Sequence, residues 1–102
     1  MAEWMRVAEL RDCPPGSSQE RVAGDRIVAI FNVDGQIHAI DGVCAHQGGP
    51  LGEGELVGCT VTCPWHGWQF DVVTGQNRLN PRIVQEPFET RVEDGWILIR
   101  LP

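Results

Sequence analysis

Short apolar runs cut by turn residues organise this sequence, and no segment carries a convincing helical period. Trp4 to Ala8 reads as a first strand, and Pro14-Pro15-Gly16 as the turn that follows it. Arg21 to Ala23 and Arg26 to Asn32 pair around Gly24-Asp25. Asp34-Gly35 predicts a tight hairpin into Gln36 to Ile40, because Asp and Gly tolerate the positive φ that such turns require. A second Asp-Gly, Asp94-Gly95, joins Phe88 to Val92 with Trp96 to Leu101. Alternation is clearest where Gln36 and His38 interleave with Ile37 and Ala39. Ile27-Val28-Ala29-Ile30-Phe31 is instead a continuous apolar run, as in a strand buried on both faces. Regular short strands with turn signals predict an all-β fold of antiparallel sheets, an incomplete barrel or sandwich.

Composition narrows the class. At 102 residues the chain has room for one core, and a domain of that size gains from an internal metal staple. No apolar stretch approaches the ~20 residues that span a bilayer. Met1-Ala2-Glu3-Trp4-Met5-Arg6 lacks the basic region and apolar core of a signal peptide, so a soluble cytoplasmic protein without a membrane partner is expected. Net charge is −6, and all eight basic residues are Arg. Between Asp41 and Gly75 stand four acids, Asp41, Glu53, Glu55 and Asp71, and no Arg or Lys. Such a surface repels nucleic acid and favours a basic docking face on a protein partner.

The chemistry is concentrated in Cys44-Ala45-His46 and Cys63-Pro64-Trp65-His66, two loops that each offer one thiolate and one imidazole. Two Cys and two His suit a tetrahedral zinc site, although zinc modules usually pair Cys with Cys and His with His. They also suit a [2Fe–2S] cluster with Cys on one iron and His on the other. Gly48, Gly49 and Gly67 flank these residues, as loops with positive φ and N–H groups aimed at sulfide require. The run Gly48-Gly49-Pro50-Leu51-Gly52-Glu53-Gly54 is not a phosphate loop, because no helix follows it. Cys59 falls in the strand-like run Gly58 to Thr62 and reads as a small buried hydrophobe. Cys13 precedes a turn, and no disulfide is expected. His38 reads as an exposed or hairpin-facing strand residue without a functional role.

The pattern C-x-H-x16-C-x2-H resembles the signature of the Rieske family, and the resemblance covers nearly the whole chain. It implies one [2Fe–2S] cluster, with Cys44 and Cys63 as thiolates on the inner iron and His46 and His66 on the outer. It implies a base domain of residues 1–40 and 76–102, and an inserted cluster-binding unit of residues 41–75. Two ferric ions, two sulfides and two thiolates sum to zero charge, so a Rieske centre accepts an electron more readily than an all-thiolate one. High-potential members tie their loops with a disulfide; the matching positions here are Gly49 and Trp65. They also donate Ser and Tyr hydroxyls to the cluster, where this chain has Trp68 and Phe70. The resemblance therefore implies the low end of the Rieske range, about −150 to +300 mV. Leu51, Trp65 and Trp68 are expected to shield the cluster and Phe70 to be ordinary core, while the free ring N–H of His46 and of His66 faces solvent.

Once His46 and His66 are used only His38 remains, so a second, mononuclear iron of the oxygenase type has no ligand set. No nucleotide-binding fingerprint is present. The chain is thus expected not to be an enzyme alone but a monomeric one-electron carrier between a reductase and a terminal oxygenase or similar acceptor. The stretches His46 to Leu51 and Cys63 to Asp71 resemble nitrite reductase small subunits equally well, which is the alternative.

Overall fold

The computed structural model describes residues 3–101; Met1, Ala2 and Pro102, at the outer limits of the expected domain, lie outside the described residues. The strands are β1 (Glu3–Glu9), β2 (Ser18–Ala23), β3 (Arg26–Val33), β4 (Gln36–Asp41), β5 (Glu55–Val57), β6 (Thr60–Thr62), β7 (Gln69–Asp71), β8 (Pro87–Glu93) and β9 (Trp96–Leu101). Short 3-10 turns at Leu10–Asp12 and Leu51–Glu53 are the helical elements among the described residues. The fold is all-β, as the strand pattern predicts.

Six strands form one antiparallel sheet in the order β1-β9-β8-β4-β3-β2, and three form another in the order β5-β6-β7. Asp34 (φ 51°) and Gly35 (φ 95°) turn β3 into β4, and Asp94 (φ 52°) and Gly95 (φ 79°) turn β8 into β9. Both central residues are left-handed, the geometry that lets a two-residue turn match the strand twist. The large sheet curls until its edge strands β1 and β2 approach each other, giving an incomplete barrel.

Strand β3 explains how two units share one small chain. Val28 and Ile30 point into a first core with Ala23, Ile37, Phe88, Ile97 and Ile99. Ala29 and Phe31 point the other way, into a second core with Ile40, Leu51, Val61, Phe70 and Val72. Side chains alternate across a strand, so a continuous apolar run serves both cores. Val28 to Phe31 are buried as that run predicts, and only Ile27, beside the β2–β3 turn, is exposed. Cys44 and Cys63 belong to the second core. The small sheet is therefore packed on the back of β3 and β4, and the candidate site sits where the two meet.

Residues 76–86 lead from the small sheet back to β8. Arg78 N–H donates to Gln69 O at 2.8 Å and Gln85 N–H to Gly75 O at 2.8 Å. Asp41 N–H donates to Glu86 O at 2.8 Å, and Arg26 reaches both Glu86 (2.9 Å) and Asp41 (3.5 Å).

All four cysteines are unbridged, but Cys59 corrects the sequence reading. It is exposed, not buried. Gly58 (φ 59°) and Cys59 form the two-residue turn between β5 and β6, so the run from Gly58 to Thr62 is a turn followed by a strand.

Candidate metal centre

The two Cys-His loops are built on one hydrogen-bond frame. In the first, Cys44 N–H donates to Gly49 O (2.9 Å) and Gly48 N–H donates to Cys44 O (2.9 Å). In the second, Cys63 N–H donates to Trp68 O (2.8 Å) and Gly67 N–H to Cys63 O (3.1 Å). Each loop thus closes through the fourth and fifth residues after its cysteine. Gly48 (φ 75°) and Gly67 (φ 74°) hold the same left-handed corner in each. His46 and His66 project from equivalent arcs of this repeated frame.

The loops bring the four candidate ligands together as two pairs. Cys44 and Cys63 are 2% and 3% exposed, and their thiols are neighbours. The imidazoles of His46 and His66 lie 4.8 Å apart and nearly perpendicular, at 78°. Among the described residues no three His, Cys, Asp or Glu side chains gather around one point. Burial pushes the Cys44 thiol up; the His46 backbone N–H donating to it opposes this, the adjacent Cys63 thiol adds to it, and the Gln47 N–H opposes it again.

His46 Nδ1 is buried and has no hydrogen-bond partner. A buried polar atom without a partner costs about 1–3 kcal/mol, so this nitrogen requires something to bind. His66 is exposed, whereas His46 is half-buried beneath the indole of Trp68, stacked on it at 4.3 Å and 6°. Of the two rings, His66 is the open one.

Glycine is required at position 49 for close approach, not for positive φ as the sequence suggested. A Cβ there would lie 2.6 Å from Cys63 Sγ and 3.2 Å from Trp65 Cβ. Gly52, in the run that resembles a phosphate loop, lies so close to β2 that a Cβ would fall 2.7 Å from Gln19 O. Leu51 and Phe70 are fully buried beneath the thiols, and Trp65 is 56% exposed beside them.

Two of the four acids in this region meet arginines: Asp41 faces Arg26 at 3.5 Å, and Asp71 faces Arg78 at 3.8 Å. Glu53 and Glu55 line a groove of about 810 Å³ with Thr62, Cys63, Gln69 and Arg78. Arg78 thus brings a positive charge to a face that the sequence window suggested was purely acidic. A second groove, of about 480 Å³, runs from His66 and Trp68 to Asn77, Leu79 and Ile83, where Leu79 is 96% exposed. Residues that no sequence signal marked are Gln85, whose buried carboxamide bonds the first loop, and the Trp68–His46 stack. His38 is half-buried on β4, on the same face as Ile40.

A family model described as the Rieske [2Fe-2S] domain matches residues 3–94. The chain belongs to this family. Ferredoxin CarAc of Metapseudomonas resinovorans is 32% identical over 98 residues, covering 94% of this chain and 92% of that protein. A chain from the complex of reduced oxygenase and oxidized ferredoxin in carbazole 1,9a-dioxygenase is similar at 31% identity and a TM-score of 0.84, covering 94% of this chain and 91% of that one. An NADH-dependent nitrite reductase small subunit from Mycobacterium tuberculosis shares the fold, with a TM-score of 0.90 at 23% identity and coverage of 100% and 97%. The cofactor of this Rieske domain is a [2Fe–2S] cluster. The donor set fits it: paired buried thiols, paired imidazoles, an unpartnered Nδ1, and a glycine where any Cβ would crowd the sulfur. Among the described residues no helix is long and apolar enough to cross a membrane.

Proposed function

We propose that Cys44 and Cys63 hold one iron and His46 and His66 the other iron of a single Rieske [2Fe–2S] cluster, and that the chain passes single electrons from a reductase to a terminal oxygenase. The observation that carries the ligand assignment is the grouping of the donors: thiols together in the buried core, imidazoles together at its edge. That arrangement suits two irons of unlike ligation better than one tetrahedral zinc. The cluster supplies a one-electron couple near neutral charge. The protein's residues do the rest. Leu51 and Phe70 keep water from the thiol side, the Gly48 N–H bond to Cys44 O closes the first loop around its thiol, and exposed His66 offers the way out.

Residues 41–75 serve as the cluster-binding unit and the curled sheet as its base. Four unbridged cysteines, the normal state in the cytoplasm, support that compartment for the protein. Ferredoxin components of oxygenase systems are its sequence relatives, which supports an oxygenase as acceptor. The fold shared with a nitrite reductase small subunit supports a second reading, a small electron-transfer subunit of such an enzyme. Purified protein is expected to contain two irons and two sulfides per chain and to show a Rieske-type paramagnetic signal on reduction. Zinc in place of iron contradicts the cluster assignment. Rapid oxidation of the reduced protein by an oxygenase supports the first pathway, and oxidation only by a sirohaem nitrite reductase supports the second.

A further inference from the structure

Gln85 lies just before β8 and is 4% exposed. Its Nε2 donates to Asp41 O at 3.0 Å and to Val43 O at 2.7 Å, and its Oε1 accepts the Ala45 N–H at 2.8 Å. One carboxamide therefore bonds three alternate residues on either side of Cys44. Its own backbone is tied to the far side of the site, because Gln85 N–H donates to Gly75 O at 2.8 Å. At Gly75 a Cβ would fall 1.8 Å from Gln85 O, so the approach of these two segments admits only glycine.

The consequence lies in which peptide N–H points where. Gln85 holds the Ala45 N–H at 2.8 Å and the Gly48 N–H closes on Cys44 O at 2.9 Å, so the His46 and Gln47 peptides between these two bonds are held in the turn that wraps Cys44. N–H groups directed at a ligand sulfur offset the negative charge of the reduced cluster and raise its potential. We infer that Gln85 is a positioning residue of the cluster: its carboxamide fixes the backbone from Asp41 to Ala45 and thereby aims the following N–H groups at Cys44. The inference rests on Cys44 being a ligand. A buried amide that served packing alone would stabilise the fold and leave the cluster's electronic properties untouched.

Two variants separate these roles. Gln85→Glu keeps the shape but sets an oxygen against the Asp41 and Val43 carbonyls, and Gln85→Met keeps the length and removes all three bonds. Both are examined as holoprotein by voltammetry, reduced-state paramagnetic resonance and chelator-driven bleaching, with circular dichroism to follow the β fold. The expected result is a retained fold, bleaching about 10-fold faster, altered g values, and a lower midpoint. A tenfold change in the reduced-to-oxidised ratio is about 59 mV for a one-electron couple. An unchanged midpoint and unchanged g values, with only thermal stability lost, overturn the inference. Where neither variant keeps a cluster, deuterium exchange on the wild-type holoprotein decides. Slow exchange of the amide protons coupled to the cluster is expected, and immediate exchange overturns the inference. Cys44→Ala is run in parallel: if it keeps the wild-type spectrum, the ligand assignment fails rather than the role of Gln85.

Discussion

The indole of Trp68 lies face to face with the His46 imidazole, with 4.3 Å between centroids and 6° between planes. His66 meets the same imidazole edge-on, at 4.8 Å and 78°. The two histidines of the site are therefore unlike. His46 is half-buried, with one face covered, and His66 is exposed at the mouth of a groove that leads to Leu79. An electron leaving through an imidazole leaves more directly through His66.

Trp68→Ala removes a stacked pair worth about 0.5–1.5 kcal/mol beyond the apolar area it covers. His46 is then held less firmly and opened to water. Bleaching of the visible spectrum by a chelator is expected to quicken, and Trp68→Phe, which keeps an aromatic face, is expected to restore most of the wild-type rate.

Gly49→Ala and Gly67→Ala test two different demands on glycine. A Cβ at position 49 would lie 2.6 Å from Cys63 Sγ, so Gly49→Ala is expected to prevent cluster incorporation. A Cβ at position 67 meets nothing within 4 Å, and the cost is only that of a left-handed alanine (φ 74°), about 1–2 kcal/mol. Gly67→Ala is expected to lower the unfolding temperature and keep the cluster. Visible absorbance per chain and thermal melts separate the two.

These contrasts show what the sequence makes legible. The Asp-Gly turns at Asp34-Gly35 and Asp94-Gly95 are local chemistry, and they place four of the six strands of the large sheet. The run from Val28 to Phe31 declares burial on both faces because alternation fails there. The spacing of Cys44, His46, Cys63 and His66 is likewise a local signal. Cys59 misleads because Gly58-Cys59 is a turn without Asp, Asn or Pro to mark it. Gln85 is invisible for another reason. Its partners lie about 40 residues away at Asp41, Val43 and Ala45, and a lone Gln carries no pattern that names a distant backbone.

The midpoint potential is expected at the low end of the Rieske range, below about +100 mV. Trp68 and Phe70 stand where a high-potential centre would place hydroxyl donors, and Phe70 is fully buried in the core that holds both thiols. Phe70→Tyr is expected to shift the midpoint upward, as voltammetry of the two proteins would show. A wild-type midpoint above that limit contradicts a low-potential centre.

Thiol labelling of the native holoprotein is expected at Cys59 alone. Cys59 is exposed in the β5–β6 turn, while Cys13 is fully buried in the first core. Burial pushes the Cys13 thiol up, against the smaller opposing effect of Arg21, with Asp12 adding to the rise. Its reactive thiolate is therefore scarce in the folded state until alkaline pH, and mass spectrometry is expected to find Cys13 labelled only after unfolding.

Glu53 and Glu55 line the groove beside Cys63 and have no ion-pair partner among the described salt bridges. Neutralising both, as Glu53→Gln with Glu55→Gln, is expected to slow electron transfer at low ionic strength and to flatten its dependence on salt. Stopped-flow rates across a salt series measure both effects. A wild-type rate indifferent to salt contradicts a charged docking face.

The most direct measurement of the central claim is electron-nuclear double resonance on the reduced protein, with and without nitrogen-15 histidine. With His46 and His66 as ligands, the expected result is a [2Fe–2S] signal coupled to two histidine nitrogens, reduced to one coupling in His66→Cys. A signal without histidine nitrogen coupling, or a protein that holds zinc and gives no signal, would contradict it.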